Sequence, residues 1–211
     1  MHGELVRGLG RRFARLATNL TVRRPALWPL LRPVMRLQFD WLAPHWDSLR
    51  APGYMEAFEA GLAAVPPSRR VLDVGTGTGL GAFAIASRFP DADVVGVDLS
   101  EDMVAEARRK APPELAVRVR FEQADAARLP FVDESFDLVA LGNMIPFFDE
   151  LARVLAPGGT LLVAFSSGPG TPIYVPFERL RAELERRGFA HFAEFAAGSG
   201  TALLARKRAR G

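Results

Sequence analysis

The run VLDVGTGTG (71–79) constrains the fold of this 211-residue chain more than any other feature. A short apolar stretch leads into glycines at 75, 77 and 79, and LGAFAIASRF (80–89) then follows with a helical pattern. A strand that passes into a helix through glycines turns sharply and lets a ligand lie against bare main chain. The alternation continues: DVVGVDLS (93–100) reads as a strand, 101–110 as a helix capped by Ser100, and VRVRFEQAD (117–125) as a strand. SFDLVALGN (135–143) is a fourth strand, PFFDELARVL (146–155) a helix, TLLVAFSS (160–167) a fifth strand and PFERLRAELERRG (176–188) a helix. Strands and helices alternating over short connections predict an α/β, mostly parallel sheet with helices on both faces. FAHFAEFAAG (189–198) and TALLARKR (201–208) lie only a few residues apart, which predicts an antiparallel closing pair.

Before this unit comes a segment of different character. In 4–20, Leu5, Leu9, Phe13, Leu16 and Leu20 recur at spacings of three and four and predict one buried helical face, with Arg7, Arg11 and Arg15 on another. Residues 23–53 carry Pro25, Pro29, Pro33, Pro44 and Pro52 and all three tryptophans, so short helical pieces joined by proline turns are expected. Residues 54–65 read as one more helix, stopped by Pro66 and Pro67. The division that follows is an N-terminal helical extension or cap over 1–65 and an α/β domain over 66–211.

Charge follows the same division. Residues 1–50 hold nine arginines against Glu4, Asp40 and Asp47, a net +6, whereas the rest nets −3. An anionic membrane is therefore a candidate partner for 4–36. Nucleic acid is not expected, because no aromatic stacking motif accompanies the arginines. The chain has no cysteine, which excludes disulfides, thiolate metal sites and a cysteine nucleophile, and no metal is expected. No apolar stretch approaches the ~20 residues of a membrane-spanning helix. With no secretory leader evident, the expected compartment is the cytoplasm, peripheral at the membrane.

Three further features belong with the glycine turn. Asp98 ends the second strand, where a carboxylate can accept from both hydroxyls of a ribose. Asp125 follows the third strand and could accept from an adenine amino group, with the Ala126 amide beside it. FDLVALGN (136–143) and RVLAPGG (153–159) supply the fourth strand and the turn before the fifth.

Taken together, VLDVGTGTG, VVGVDLS, ADAARLPFVDESFDLV and LARVLAPGGTLLV resemble, in order, the motifs of the class I S-adenosylmethionine-dependent methyltransferases, notably the ubiquinone/menaquinone-biosynthesis group. The resemblance is close over about 70–165 and implies a Rossmann-like, seven-stranded sheet with S-adenosyl-L-methionine as methyl donor. It implies that Asp73 and the turn from Gly75 through Thr76 and Gly77 to Gly79 hold the methionine part. Asp98 would hold the ribose, Leu99 and Met103 would lie against the adenine, Asp125 and Ala126 would read its edge, and Asn143 would complete the cofactor contacts. The expected function is methyl transfer to a small-molecule, quinone or lipid-like acceptor.

Two other readings stand beside it: a non-catalytic S-adenosylmethionine-binding regulatory module, and an NAD(P)-binding oxidoreductase. GTGLGA (77–82) does satisfy the dinucleotide spacing, but Asp73 inside the first strand and the ordered later motifs disfavour it. GNMIPF (142–147) lacks the paired prolines typical of exocyclic-amine methylation, and the missing cysteine excludes attack through the cytosine ring. No residue stands out as a general base; His45 and Tyr54 are the candidates. FDWLAPHWD (39–47) looks like the lid-proximal segment of the quinone-type enzymes, so 39–60 is expected to cap the site. Met144, Ile145, Phe147 and Phe148 are candidates for an apolar acceptor wall.

Overall fold

In the computed structural model, residues 2–210 are described, apart from the side chains of 2–7 and of Leu9. Helix α1 (His2–Arg23) is followed by α2 (Trp28–Leu42), a 3₁₀ segment (Ala43–Leu49) and α3 (Glu56–Ala63). The alternating unit then runs β1 (Arg70–Val74), α4 (Leu80–Arg88), β2 (Asp93–Asp98), α5 (Glu101–Lys110), β3 (Val119–Gln123) and β4 (Phe136–Gly142). It continues with α6 (Phe148–Val154), β5 (Leu155–Phe165), α7 (Phe177–Glu185), β6 (Phe189–Ala197) and β7 (Gly200–Lys207).

The seven strands form one sheet in the order β3-β2-β1-β4-β5-β7-β6. The first five are mutually parallel, while β7 runs antiparallel to both β5 and β6. The mostly parallel sheet follows the alternation, the antiparallel pair follows the short connection, and the seven-stranded Rossmann-like form is the one the resemblance implies. Side chains alternate across each strand, so Leu72, Val74, Val139 and Leu141 enter one core while Val71, Leu138 and Ala140 enter the other. Helices α6 and α7 cover the first face and α3, α4 and α5 the second. Burial on both faces is why these strands read as near-continuous apolar runs. The strand order reverses between β1 and β4, and a crevice opens at the carboxyl ends of such a pair.

The N-terminal segment departs from expectation in two ways. Residues 28–42 form one helix rather than proline-broken pieces, with Pro29 in its first turn and Pro33 inside it. Early placement limits the loss, since the bond Pro33 cannot make is the one to the carbonyl of Pro29 in that first turn. The second is Leu16 of the α1 stripe, while its fellow Phe13 packs partly buried against the core. Ala14, Ala17, Thr18 and Thr21 are buried, whereas Leu16 is exposed; the side chains of Leu5 and Leu9 lie outside the described residues. Small residues bring α1 close to the domain, where Arg11 donates to the Gly170 carbonyl and Arg15 to those of Pro169 and Thr171. Strand β5 starts at Leu155 rather than Thr160, because Leu155 already pairs with Phe136 across an irregularity in register.

Candidate active site

The cleft forms where β1 ends. Gly75 and Thr76 donate their N–H groups to the Val97 carbonyl, at 2.8 and 2.9 Å, which ties the turn to β2. The turn ends at Gly79, whose φ of +91° begins α4 in a conformation that a side chain would strain. Asp73 projects beneath the turn, fully buried, and accepts from Thr76 Oγ1 at 2.7 Å. Burial pushes its carboxyl up to about 6, against hydrogen bonds from Thr76 and the Ala82 N–H that favour the charged form.

Asp98 stands across the turn at the end of β2. Its Oδ2 accepts the Gly77 N–H at 2.9 Å and its Oδ1 the Ser100 N–H at 3.0 Å. Burial raises its pKa, partly offset by the N–H groups of Ser100, Gly77 and Leu99. The carboxylate still has acceptor capacity for a further donor. Asp98, Leu99, Met103 and Ala126, the residues expected to meet a ribose and an adenine, all line this one cleft. The glycine backbone faces the same space. A Cβ on Gly75 would lie 2.8 Å from Met144 Sδ, and one on Gly77 3.4 Å from Trp46 Nε1.

Asp125 is placed differently from expectation. It does not line the cleft; its Oδ1 accepts from Trp28 Nε1 at 2.9 Å and from the Ala127 N–H, and its Oδ2 from Arg32 at 3.2 Å. The carboxylate expected to read an adenine edge instead fastens α2 to the domain. A second fastening is Ser100 Oγ, the N-cap of α5, which donates to Asp40 Oδ1 at 2.6 Å.

The two candidate bases separate. His45 is exposed on the 3₁₀ segment and does not line the cleft, because that segment turns Trp46 inward instead. Tyr54 is half-buried in the lining of the cleft, which Asn143 also lines, with the Arg50 guanidinium 5.5 Å from its ring centre. Burial pushes its pKa up, so near neutral pH the hydroxyl is a donor rather than a base. Asn143 takes a positive φ of 52° and bridges to β5, donating to Ser166 Oγ and accepting from the Ser166 N–H. Met144 and Ile145 line the cleft, whereas Phe147 and Phe148 are core.

Arg50 was not singled out by sequence. It reaches Asp47 and Thr78 beside the glycine turn, and Lys110 joins the same group through Asp47 Oδ2 at 2.8 Å. Asp47 is held below the usual carboxylate range: burial opposes this, but hydrogen bonds from Lys110 and Thr78 and the Arg50 charge outweigh it. A signal for Arg50 would have been its position next to Asp47 in the predicted cap. Trp28, Met35 and Phe39 of α2 were also missed as lining residues, and the helical spacing of 28, 35 and 39 marks them as one face.

Residues 71–159 match the protein family described as a methyltransferase domain. Over 109 residues the chain is 45% identical to a demethylmenaquinone methyltransferase of Thermus thermophilus, covering 48% of this chain and 49% of that protein. Residues 71–159 form a methyltransferase domain. A demethylmenaquinone methyltransferase of Deinococcus radiodurans is 38% identical to the chain over 156 residues, 67% of this chain and 64% of that one. The chain thus spans between about half and just under two thirds of these relatives' length. Among solved structures, an S-adenosylmethionine-dependent methyltransferase from Aquifex aeolicus shares the fold, with a TM-score of 0.63 at 20% identity over 76% of this chain and 95% of that one. The cleft described above sits at the switch point of this methyltransferase domain, between the glycine turn after β1 and the end of β4.

Proposed function

We propose that the chain transfers the methyl group of S-adenosylmethionine to a small, quinone-like acceptor in this cleft, working in the cytoplasm with peripheral contact between 4–36 and an anionic membrane. Residues 1–65 act as a cap on a catalytic domain over 66–211. The observation that carries the reading is Asp98, whose two oxygens are fixed by the Gly77 and Ser100 N–H groups at the mouth of a bare glycine turn. The residues fit an adenosyl ligand. Asp98 keeps acceptor capacity for a ribose hydroxyl, Leu99 and Met103 offer apolar surface for a base, and Arg50 brings a cation to the turn. The names of the relatives, demethylmenaquinone methyltransferases, support the acceptor class.

S-Adenosylmethionine, when bound, supplies an already activated methyl group on a sulfonium. The protein's task is therefore positioning and exclusion of water. Trp46, Phe39, Ile145 and Ile173 give the cleft walls that suit a flat aromatic ring. The Tyr54 hydroxyl, which lines the cleft, can donate a hydrogen bond to an acceptor oxygen and set the ring's orientation. Among the described residues that line the cleft, the ionisable groups are Arg50, Tyr54, Asp73 and Asp98. With both carboxylates committed to the turn, an acceptor that is reactive through its own acidic hydroxyl suits this site better than one needing a protein base.

The test is incubation with methyl-labelled S-adenosylmethionine and a short-chain demethylmenaquinone in its hydroquinone form. Label should pass to the ring carbon with release of S-adenosylhomocysteine. Tyr54→Phe should slow turnover roughly tenfold while leaving S-adenosylhomocysteine binding intact. Tight binding of the adenosyl ligand with no transfer to any quinol would instead favour a non-catalytic binding module.

A further inference from the structure

Helix α2 has two apolar faces. The inward one, with Trp28, Met35 and Phe39, lines the cleft. The outward one carries Leu30, Val34, Leu37 and Trp41 at spacings of four, three and four, which stack on one side of a helix. They are 75%, 49%, 68% and 66% exposed. Among the described residues seven large apolar side chains are exposed, and five, these four and Leu16 of α1, fall in the α1–α2 hairpin. Single exposed apolar residues are ordinary, but a contiguous stripe on one helix marks a surface that something covers.

Charge decides what covers it. Residues 8–46 hold seven arginines against the single acid Asp40, a net +6, and Arg12, Arg23 and Arg24 are exposed. Asp40 is itself engaged by Ser100 and by Arg36. A second copy docking through the same face would set two such cationic clusters against each other. An anionic bilayer meets both properties, since leucine, valine and tryptophan settle at the acyl–headgroup boundary while arginines meet the phosphates.

We propose that α2 docks by its Leu30–Val34–Leu37–Trp41 face on an anionic membrane surface, so that one helix separates the bilayer from the cleft. This deepens the peripheral contact proposed above and rests on that reading only for the acceptor. It centres the contact within 4–36 on the outer face of α2 and extends it past residue 36 to Trp41. A bilayer-resident acceptor then reaches the cleft along the edge of α2 without crossing water.

The test is co-sedimentation of the full chain with phosphatidylcholine vesicles, with and without phosphatidylglycerol. Wild type should bind the anionic vesicles and bind the neutral ones at least tenfold less. Leu37→Gln with Trp41→Gln should lower anionic-vesicle binding by about tenfold or more. Arg23→Gln with Arg24→Gln should lower it by about fivefold per arginine. All four side chains are exposed, so circular dichroism melts of the variants should match wild type. Equal recovery on both vesicle types, or variants that bind as wild type does, would overturn the proposal. So would self-association abolished by Leu37→Gln/Trp41→Gln in a chain that binds no vesicle, which would assign the face to a second copy. S-Adenosylhomocysteine titration of the same proteins keeps the two readings apart: its failure in wild type sinks the methyl-transfer reading and leaves the vesicle result standing.

Discussion

Asp73 is buried beneath the glycine turn with a hydroxyl and an N–H for partners and no cation among the causes of its shift. Its folded-state value of about 6 lies above its ordinary 3.8, so the folded chain binds that proton more tightly than the unfolded one. The sign follows: above about pH 6 the ionised group costs stability, on the order of 3 kcal/mol, and the cost fades as pH falls toward 3.8. Asp73→Asn should therefore gain most over wild type at pH 8, with the difference in melting temperature shrinking toward pH 4. A difference independent of pH would contradict this. The residues of the turn were legible because their roles are local: strand end, glycine turn and cap lie within a few positions of one another. Asp125 was not, because its partner Trp28 is 97 residues away, and no local pattern reveals that bond. His45 and Tyr54 looked equal in sequence; His45 lies on the outer side of the 3₁₀ segment, whereas Tyr54 lies in the turn that leads into α3 and lines the cleft.

Among the elements, β2 shows how closely the site depends on the sheet beneath it. A Cβ on Gly96 would lie 2.6 Å from Phe121 Cδ1 and 2.7 Å from Thr76 Oγ1, the hydroxyl that donates to Asp73. Phe121 is buried and cannot retreat without repacking. Gly96→Ala should therefore cost about 1–3 kcal/mol in urea unfolding and also weaken adenosyl-ligand binding. Unchanged stability would show that the packing is looser than described. Strands were the easiest elements to read, since burial on both faces leaves unbroken apolar runs. Helices α1 and α2 were harder for stated reasons: α1 buries Ala14, Ala17, Thr18 and Thr21 while Leu16 stays exposed, and α2 tolerates a proline near its start. In both, tertiary contact outweighed local pattern.

For the whole molecule, one reversal of strand order fixes where a ligand can bind, and the N-terminal segment closes the space above it. Strand β1 delivers the turn, β2 delivers Asp98, β4 delivers Asn143, and α2 covers them through bonds to Asp125 and Ser100. The parallel sheet could be read from the alternation and its closing pair from the short connection between two strands. The cap's grip on the domain could not, because it consists of a few long-range bonds from arginine, tryptophan and aspartate side chains. The central claim is that this cradle holds an adenosyl ligand through Asp98, and calorimetric titration tests it most directly. S-Adenosylmethionine and S-adenosylhomocysteine should bind wild type in the micromolar range, roughly hundredfold more weakly in Asp98→Ala, with no heat from NADH. Equal affinity in Asp98→Ala, no binding of either adenosyl ligand, or saturable binding of NADH would contradict the account.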